Sequence, residues 1–265
     1  MSGSRTRTLL ALGGGGFSSQ PGDPALDDLV LDLTERPEPR VLFLPTASGD
    51  AGHQVASFQA AFGGRPVRRE VLSLFRLRDL RVPLRELVLS QDAIYVGGGS
   101  LRNLLALWRE HDLHELLREA WESGVVLAGL SAGAMCWFEG GVTMSGGRAE
   151  AVPGIGMIPG SLSVHRDSEP ERLPFYLDQV AAGTLPSGWA VDDGAALLVR
   201  DLTVARVISA RPAAGAERVV GEGARAVSAE EQVELLAGVT HAPSDPAVDE
   251  LRALRELRRG LSAPR

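Results

Sequence analysis

The chain has 265 residues, 44% hydrophobic and 23% charged, with a formal net charge of -7 and a pI of about 5.3. That length can bury a sizeable core, and an acidic balance with no basic stripe excludes the electrostatic footprint of a nucleic-acid binder. Every Lys-or-Arg position is arginine, which excludes Schiff-base, pyridoxal-phosphate and Walker A lysines, and Cys136 as the only cysteine excludes an intrachain disulfide and a cysteine zinc site.

In chain order, Thr8 to Leu12 is a short apolar run ending in Gly13-Gly14-Gly15-Gly16, a strand followed by a glycine loop. The loop lacks the G-x-G-x-x-G spacing, and Pro21 and Pro24 interrupt the helix start that a dinucleotide site needs. Leu26, Leu29, Val30 and Leu33 have helical spacing, which predicts a helix over Asp23 to Leu33 with Asp23 as N-cap and Pro24 in first position. Val41 to Leu44 reads as a second buried strand, His53 to Phe62 as a helix, and Val67 to Leu74 as a strand. Ala93 to Val96 is a further strand and ends in Gly97-Gly98-Gly99-Ser100. The helix after it places Leu101, Leu104, Leu105 and Trp108 on one face, and Leu113 to Ser123 is the next helix.

Val125 to Ala128 is an unbroken apolar run too short for a helix, so it reads as a strand buried on both faces of a parallel sheet. It runs into Gly129-Leu130-Ser131-Ala132-Gly133, the spacing of a nucleophile elbow, where glycines two before and two after a serine relieve a crowded strand-to-helix turn. The hydroxyl is then exposed at the strand's carboxyl end, and the amide of Ala132 is free to donate to a developing oxyanion. Strand and helix alternate with short connections up to this point. That alternation predicts an α/β fold, a mostly parallel sheet with helices on both faces and ligands beyond the carboxyl ends of its strands.

Past the elbow, Glu139 to Ile158 is glycine-rich and suits irregular turns or a hairpin, and a helix is expected from about Glu171 to Ala182. Trp189 to Val191 and Ala195 to Val199 flank Asp192-Asp193-Gly194, which reads as a tight turn between two antiparallel strands. Val204 to Ala210 and Arg218 to Val220 extend the sheet, and Asp249 to Leu261 is an arginine-rich amphipathic helix that leaves a homodimer open. With no repeat and no linker, residues 1–265 are expected to form a single α/β domain with that helix, at about 249–261, appended. No apolar segment of about 18 residues and no leader-like run appears, so a cytoplasmic location with no membrane partner is expected.

Val96-Gly97-Gly98-Gly99-Ser100-Leu101-Arg102-Asn103-Leu104, then Gly129-Leu130-Ser131-Ala132-Gly133-Ala134, then His165 resembles the peptidase E family. Those are serine peptidases related to aspartyl dipeptidase and cyanophycinase, on a class I glutamine-amidotransferase-like fold, and the resemblance runs from about Thr8 to Val220. It implies Ser131 as nucleophile, His165 as general base and an oxyanion hole from Gly98 or Gly99 with Ala132. Val164 stands where relatives have a proline. The segment Thr143-Met144-Ser145-Gly146, where relatives often hold the acid, has no carboxylate. The family's later strand turn matches Asp193, and Glu139 and Glu150 are the alternatives.

This residue set is what acyl transfer needs. A serine hydroxyl is a weak nucleophile until a base takes its proton, and a carboxylate behind the base fixes its tautomer. Among the histidines, His111 and His114 flank or lie on helices, His53 follows a strand-end loop and His241 a late Pro- and Asp-rich loop. His165 alone follows the elbow in a polar loop, beside Arg166, Asp167 and Glu169. Arg102, Arg166 and Arg172 are candidates to hold a substrate carboxylate. The chain is thus expected to be a peptidase of short, carboxylate-bearing peptides, a dipeptidase or exopeptidase without metal or cofactor. A cyanophycinase-like hydrolase of β-aspartyl-arginine peptides and a non-catalytic binding protein or scaffold of the same fold are the rivals.

Overall fold

The computed structural model describes residues 6–18 and 24–236. Its first half contains β1 (Thr8–Leu12), α1 (Ala25–Asp32), β2 (Arg40–Leu44), α2 (Gly52–Ala61), β3 (Arg68–Val71), α3 (Leu84–Leu89), β4 (Ala93–Val96), α4 (Leu101–Glu110), α5 (Leu113–Glu122) and β5 (Val126–Leu130). The second half contains α6 (Ala132–Met135), β6 (Phe138–Thr143), β7 (Glu150–Pro153), β8 (Ile158–Ser163), α7 (Arg172–Ala181), β9 (Gly188–Val191), β10 (Ala195–Arg200), β11 (Thr203–Ser209), β12 (Ala216–Glu222), β13 (Arg225–Glu230) and β14 (Val233–Leu235). The helix expected over Asp249 to Leu261 lies outside the described residues. No helix among the described residues is long and apolar enough to cross a membrane.

The strands form two sheets where the pattern predicted one. The eight-stranded sheet has the order β14-β11-β10-β1-β5-β4-β2-β3 and the six-stranded sheet the order β13-β12-β9-β8-β6-β7. In the larger sheet β3, β2, β4, β5 and β1 are mutually parallel, and β10 joins β1 antiparallel. Side chains alternate across this sheet with the two-residue period of a strand. Along β1, Leu9 and Ala11 join one apolar cluster and Leu10 and Leu12 the other. The first cluster takes Leu104 and Trp108 of α4 and Leu117 and Trp121 of α5, and the second takes Leu26 and Val30 of α1 and Phe58 of α2. Each such side chain, fully buried, contributes about 1.5–3 kcal/mol, so the helical stripes read from the sequence hold the sheet flanked on both faces.

The turn at Asp192–Gly194 departs from expectation. It does not close a hairpin: β9 lies between β8 and β12 in the smaller sheet, and β10 lies between β1 and β11 in the larger. The chain crosses sheets here because β9 finds β12, whose Ala216 pairs with Val191, while the apolar β10 is drawn to β1. The hairpin expected between Glu139 and Ile158 is present as β6 and β7, with Gly140 opposite Pro153. A smaller apolar cluster of Val142, Tyr176, Val180, Leu185, Ala190 and Val219 packs α7 on the six-stranded sheet.

Candidate active site

The glycine loops named from sequence follow β1, β4 and β5, three adjacent parallel strands in the middle of the larger sheet, and so lie together at their carboxyl ends. Ser131 follows β5 directly, its amide donating to Leu12 O at 3.1 Å as the last rung of the β1–β5 pairing. Its backbone is held at φ 54 and ψ -115, a conformation costly for any residue with a Cβ, and α6 begins at the next residue. Gly133 makes the turn possible: a Cβ there would stand 2.4 Å from the carbonyl oxygen of Val96. The backbone therefore presses against the end of β4 and lifts the serine side chain out of the bend. A methyl on Gly98 would lie 3.4 Å from the Ser131 Cβ, so the triplet after β4 borders the hydroxyl. Among the described residues no acceptor takes the amides of Gly98, Gly99 or Ala132.

His165 comes from the other sheet, two residues past the end of β8. It too has positive φ, 56°. Its Nε2 lies 2.9 Å from Ser131 Oγ and its Nδ1 lies 2.5 Å from Asp193 Oδ1. The second Asp193 oxygen accepts from Ser168 Oγ at 2.7 Å. Burial pushes the Asp193 carboxyl upward, but the hydrogen bonds from His165 and Ser168 and the charges of His165 and Arg211 outweigh it and hold it below the usual carboxylate range. Asp193 is therefore an anion at neutral pH.

An ion-pair frame surrounds this pair. Arg166, next to His165, holds buried Asp192, next to Asp193, in a bidentate pair at 2.6 and 2.7 Å, and also reaches Glu217. Asp192 Oδ2 further accepts from the Gly215 amide at 2.9 Å. The Asp193 amide donates to Asp167 Oδ1 at 2.8 Å, and Arg211 donates to Asp167 Oδ2 at 2.6 Å. Beneath lies the loop after β1: a Cβ on Gly14 would be 1.9 Å from Asp193 Oδ1 and 2.9 Å from the imidazole. Gly14, Asp167, Ser168 and Arg211 were not singled out for this site from the sequence. The strand-end glycine run pointed to Gly14 and the residues following His165 to Asp167 and Ser168, but no local signal marks Arg211.

The other candidates lie apart from this set. Glu139 accepts from the Gly160 amide at 2.7 Å, and Glu150 is paired with Arg102 at 2.8 Å and with Arg148 at 3.2 Å. Neither hydrogen-bonds His165. Nor do the expected carboxylate-binding arginines present free guanidiniums: Arg102 is on Glu150, and Arg166 is in the frame just described. Arg172 is buried, donating to Glu169 and to the Val142 carbonyl, each at 2.5 Å. Each of these arginines has a partner within the chain. Cys136 is fully buried, and burial pushes its thiol well up, away from the reactive thiolate. Among the described residues no group of three or more His, Cys, Asp or Glu could hold a metal ion.

Fold and site together define an α/β enzyme whose reactive groups lie beyond the strand ends. The model of Peptidase family S51 matches residues 9–207, and the chain belongs to that family. It is an enzyme, a peptidase within a family of serine peptidases. It is 44% identical over 214 residues to the peptidase YgaJ of Bacillus subtilis (strain 168), itself uncharacterized, covering 81% of this chain and 92% of that one. Peptidase E of Shewanella denitrificans is 30% identical over 93 residues, 35% of this chain and 38% of that one. Among solved structures, a peptidase from an acI-B1 Actinobacterium aligns with TM-score 0.64 at 21% identity, covering 86% of this chain and 98% of that one. A putative Peptidase E protein from Listeria monocytogenes EGD-e aligns with TM-score 0.54 at 18% identity, covering 78% and 98%. At those identities the two structures speak for the fold.

Proposed function

We propose that the protein hydrolyses short peptides through an acyl-enzyme at Ser131, the nucleophile elbow of a class I glutamine-amidotransferase-like fold. The observation that carries this is the unbroken series Ser131 Oγ, His165 Nε2, His165 Nδ1, Asp193 Oδ1, with links of 2.9 and 2.5 Å. To accept the hydroxyl proton at Nε2, the neutral imidazole must carry its own proton on Nδ1, and the anionic Asp193 stabilises that tautomer. Ser131 Oγ attacks the scissile carbonyl as His165 takes its proton. The tetrahedral oxyanion meets the amides of Ala132 and of Gly98 or Gly99. Collapse breaks the C–N bond, and the imidazolium gives its proton to the leaving amine. Water, deprotonated by the same imidazole, then releases the acid and restores the serine.

Against the rival of a non-catalytic scaffold stands a carboxylate beside the histidine, Asp193 Oδ1 at 2.5 Å from His165 Nδ1. A preference for acidic or carboxylate-bearing peptides draws no support from Arg102, Arg166 or Arg172, since each is already paired. Wild type should label with a fluorophosphonate probe and cut members of a library of short peptides, with β-aspartyl-arginine included as the cyanophycinase-like arm. Ser131→Ala should do neither. Hydrolysis that survives Ser131→Ala removes the proposal.

A further inference from the structure

An edge strand leaves a row of N–H and C=O groups unpaired, and native proteins blunt such edges with short length, charge or proline. Three of the four edges of the two sheets are blunted in this way. Strand β14 has three residues, β3 has four and begins Arg68-Arg69, and β7 has four and ends in Pro153. The fourth edge, β13, has six residues without proline and pairs with β12 from Arg225 to Glu230 without a bulge.

The ladder decides which groups β13 leaves over, because residues along an antiparallel strand turn their N–H and C=O alternately to one side and the other. The Glu231 amide donates to Ala216 O at 3.1 Å, in the same register that sets Ala229 opposite Arg218 and Val227 opposite Val220. The odd-numbered residues of β13 therefore face β12. Gly221 agrees: its amide turns to the other side of β12 and donates to Ser187 Oγ at 3.0 Å. Ala226, Ser228 and Glu230 are left pointing their backbone groups outward, and no strand among the described residues takes them. Side chains alternate as well. Ala226 packs into the apolar cluster of α7, so Arg225, Val227, Ala229 and Glu231 line the opposite face, with Val227 44% exposed.

We infer that a second copy of this chain pairs with β13 edge to edge, antiparallel about a two-fold axis through Ser228, so that the two six-stranded sheets become one. That register puts Ser228 opposite itself and Ala226 opposite Glu230, with about six backbone hydrogen bonds. Between these pairs Val227 meets Ala229, and at both ends Arg225 meets Glu231. Neither Arg225 nor Glu231 has an ion-pair partner among the described residues. Moving the axis to Val227 or to Ala229 would set Arg225 against Ala229 or Val233 and lose both ion pairs. Charge thus selects one register of a strand that is complementary to itself. An axis perpendicular to the sheet keeps each face in place, so both copies of α7, which packs on β13, lie on the same face of the joined sheet. Leu173 and Leu177 of α7, only half-buried in its cluster, add apolar surface there.

The test is sedimentation of the full-length protein at concentrations on the order of 10–100 μM, where a species of twice 28.1 kDa is expected. Arg225→Glu sets like charges opposite each other at both ends and should weaken the dimer at least tenfold, and adding Glu231→Arg should restore it to within about threefold. Ser228→Pro removes an N–H that β12 does not use and should leave a folded monomer. A wild-type monomer overturns the inference. In that case, slow hydrogen exchange at the Ala226, Ser228 and Glu230 amides would assign the edge to residues 237–265 of the same chain, and fast exchange would leave it bare. A dimer that both Arg225→Glu and Ser228→Pro leave intact overturns it too, because the copies then meet elsewhere. A dimer weakened by Arg225→Glu but not restored by Glu231→Arg overturns the register.

Discussion

Ser131 and His165 set the same backbone problem and the chain solves it in two ways. Both hold a side chain at positive φ, 54° and 56°. The serine is held by what is missing: Gly133 lets the chain pass against the Val96 carbonyl, and the amide-to-Leu12 bond finishes the strand. The histidine is held by charge: Arg166 grips Asp192, Arg211 grips Asp167, and Asp167 caps the Asp193 amide. The first solution is steric and confined to one turn. The second is electrostatic and joins residues 26 to 44 positions apart. Steric room cannot be titrated or screened, whereas a partly exposed ion pair can, so the two halves of the site should fail under different insults.

The largest effect is expected from the steric half. Ser131→Ala should lower kcat by roughly 10⁴ to 10⁶, with folding intact, because in the proposed mechanism it removes the attacking atom itself. Next, Asp193→Asn should cost roughly 10⁴ in kcat, since an amide that donates to Nδ1 selects the wrong tautomer. Glu139→Gln and Glu150→Gln should stay within about twofold, because exposed pairs such as Glu150 with Arg102 contribute little. Steady-state kinetics on one peptide would rank all four, and equal losses at Asp193 and Glu150 would break the assignment of the acid.

The frame itself should show in stability before activity. Asp192 is buried, and removing its partner leaves an uncompensated charge, so Arg166→Met should destabilise by about 3–5 kcal/mol in urea unfolding. Arg166→Met with Asp192→Leu removes both charges and should recover much of that loss, while kcat stays low because His165 has lost its orienting neighbour. Full recovery of kcat in the double variant would mean that the frame is structural only.

How far the site was legible follows the same division. Gly129-x-Ser131-x-Gly133 could be read because a steric turn writes its requirement into consecutive residues. So could the parallel half of the larger sheet, whose apolar runs and helical stripes are local patterns. The second sheet could not, since β6, β8 and β9 are short, glycine-interrupted strands whose partners are set by packing. The Asp192–Gly194 turn looks like a hairpin in sequence and becomes a crossing only because β9 and β10 have better partners elsewhere. His165 and Asp193 were both named through family resemblance, His165 also by comparison among five histidines, but the paired state of Arg102, Arg166 and Arg172 was hidden. An arginine's partner leaves no mark on its neighbours in sequence.

The smallest expected effect is the acid limb of stability, and it tests the electrostatic half most directly. The Asp193 carboxyl is held below its usual range despite half-burial, which alone would raise it, by hydrogen bonds from His165 and Ser168 and by the charges of His165 and Arg211. A carboxyl depressed in the folded state contributes stability that is complete above its unfolded pKa, about 3.9, and is lost as pH falls through the lower folded value. Wild type's margin over Asp193→Asn should therefore shrink as pH falls below that region. Ser168→Ala removes one of the depressing hydrogen bonds, so it should shrink the margin and end its loss at a higher pH, while the onset stays where the unfolded pKa sets it. Urea unfolding at stepped pH reads both, and a margin that fails to shrink below that region would mean that desolvation, not the frame, dominates at Asp193.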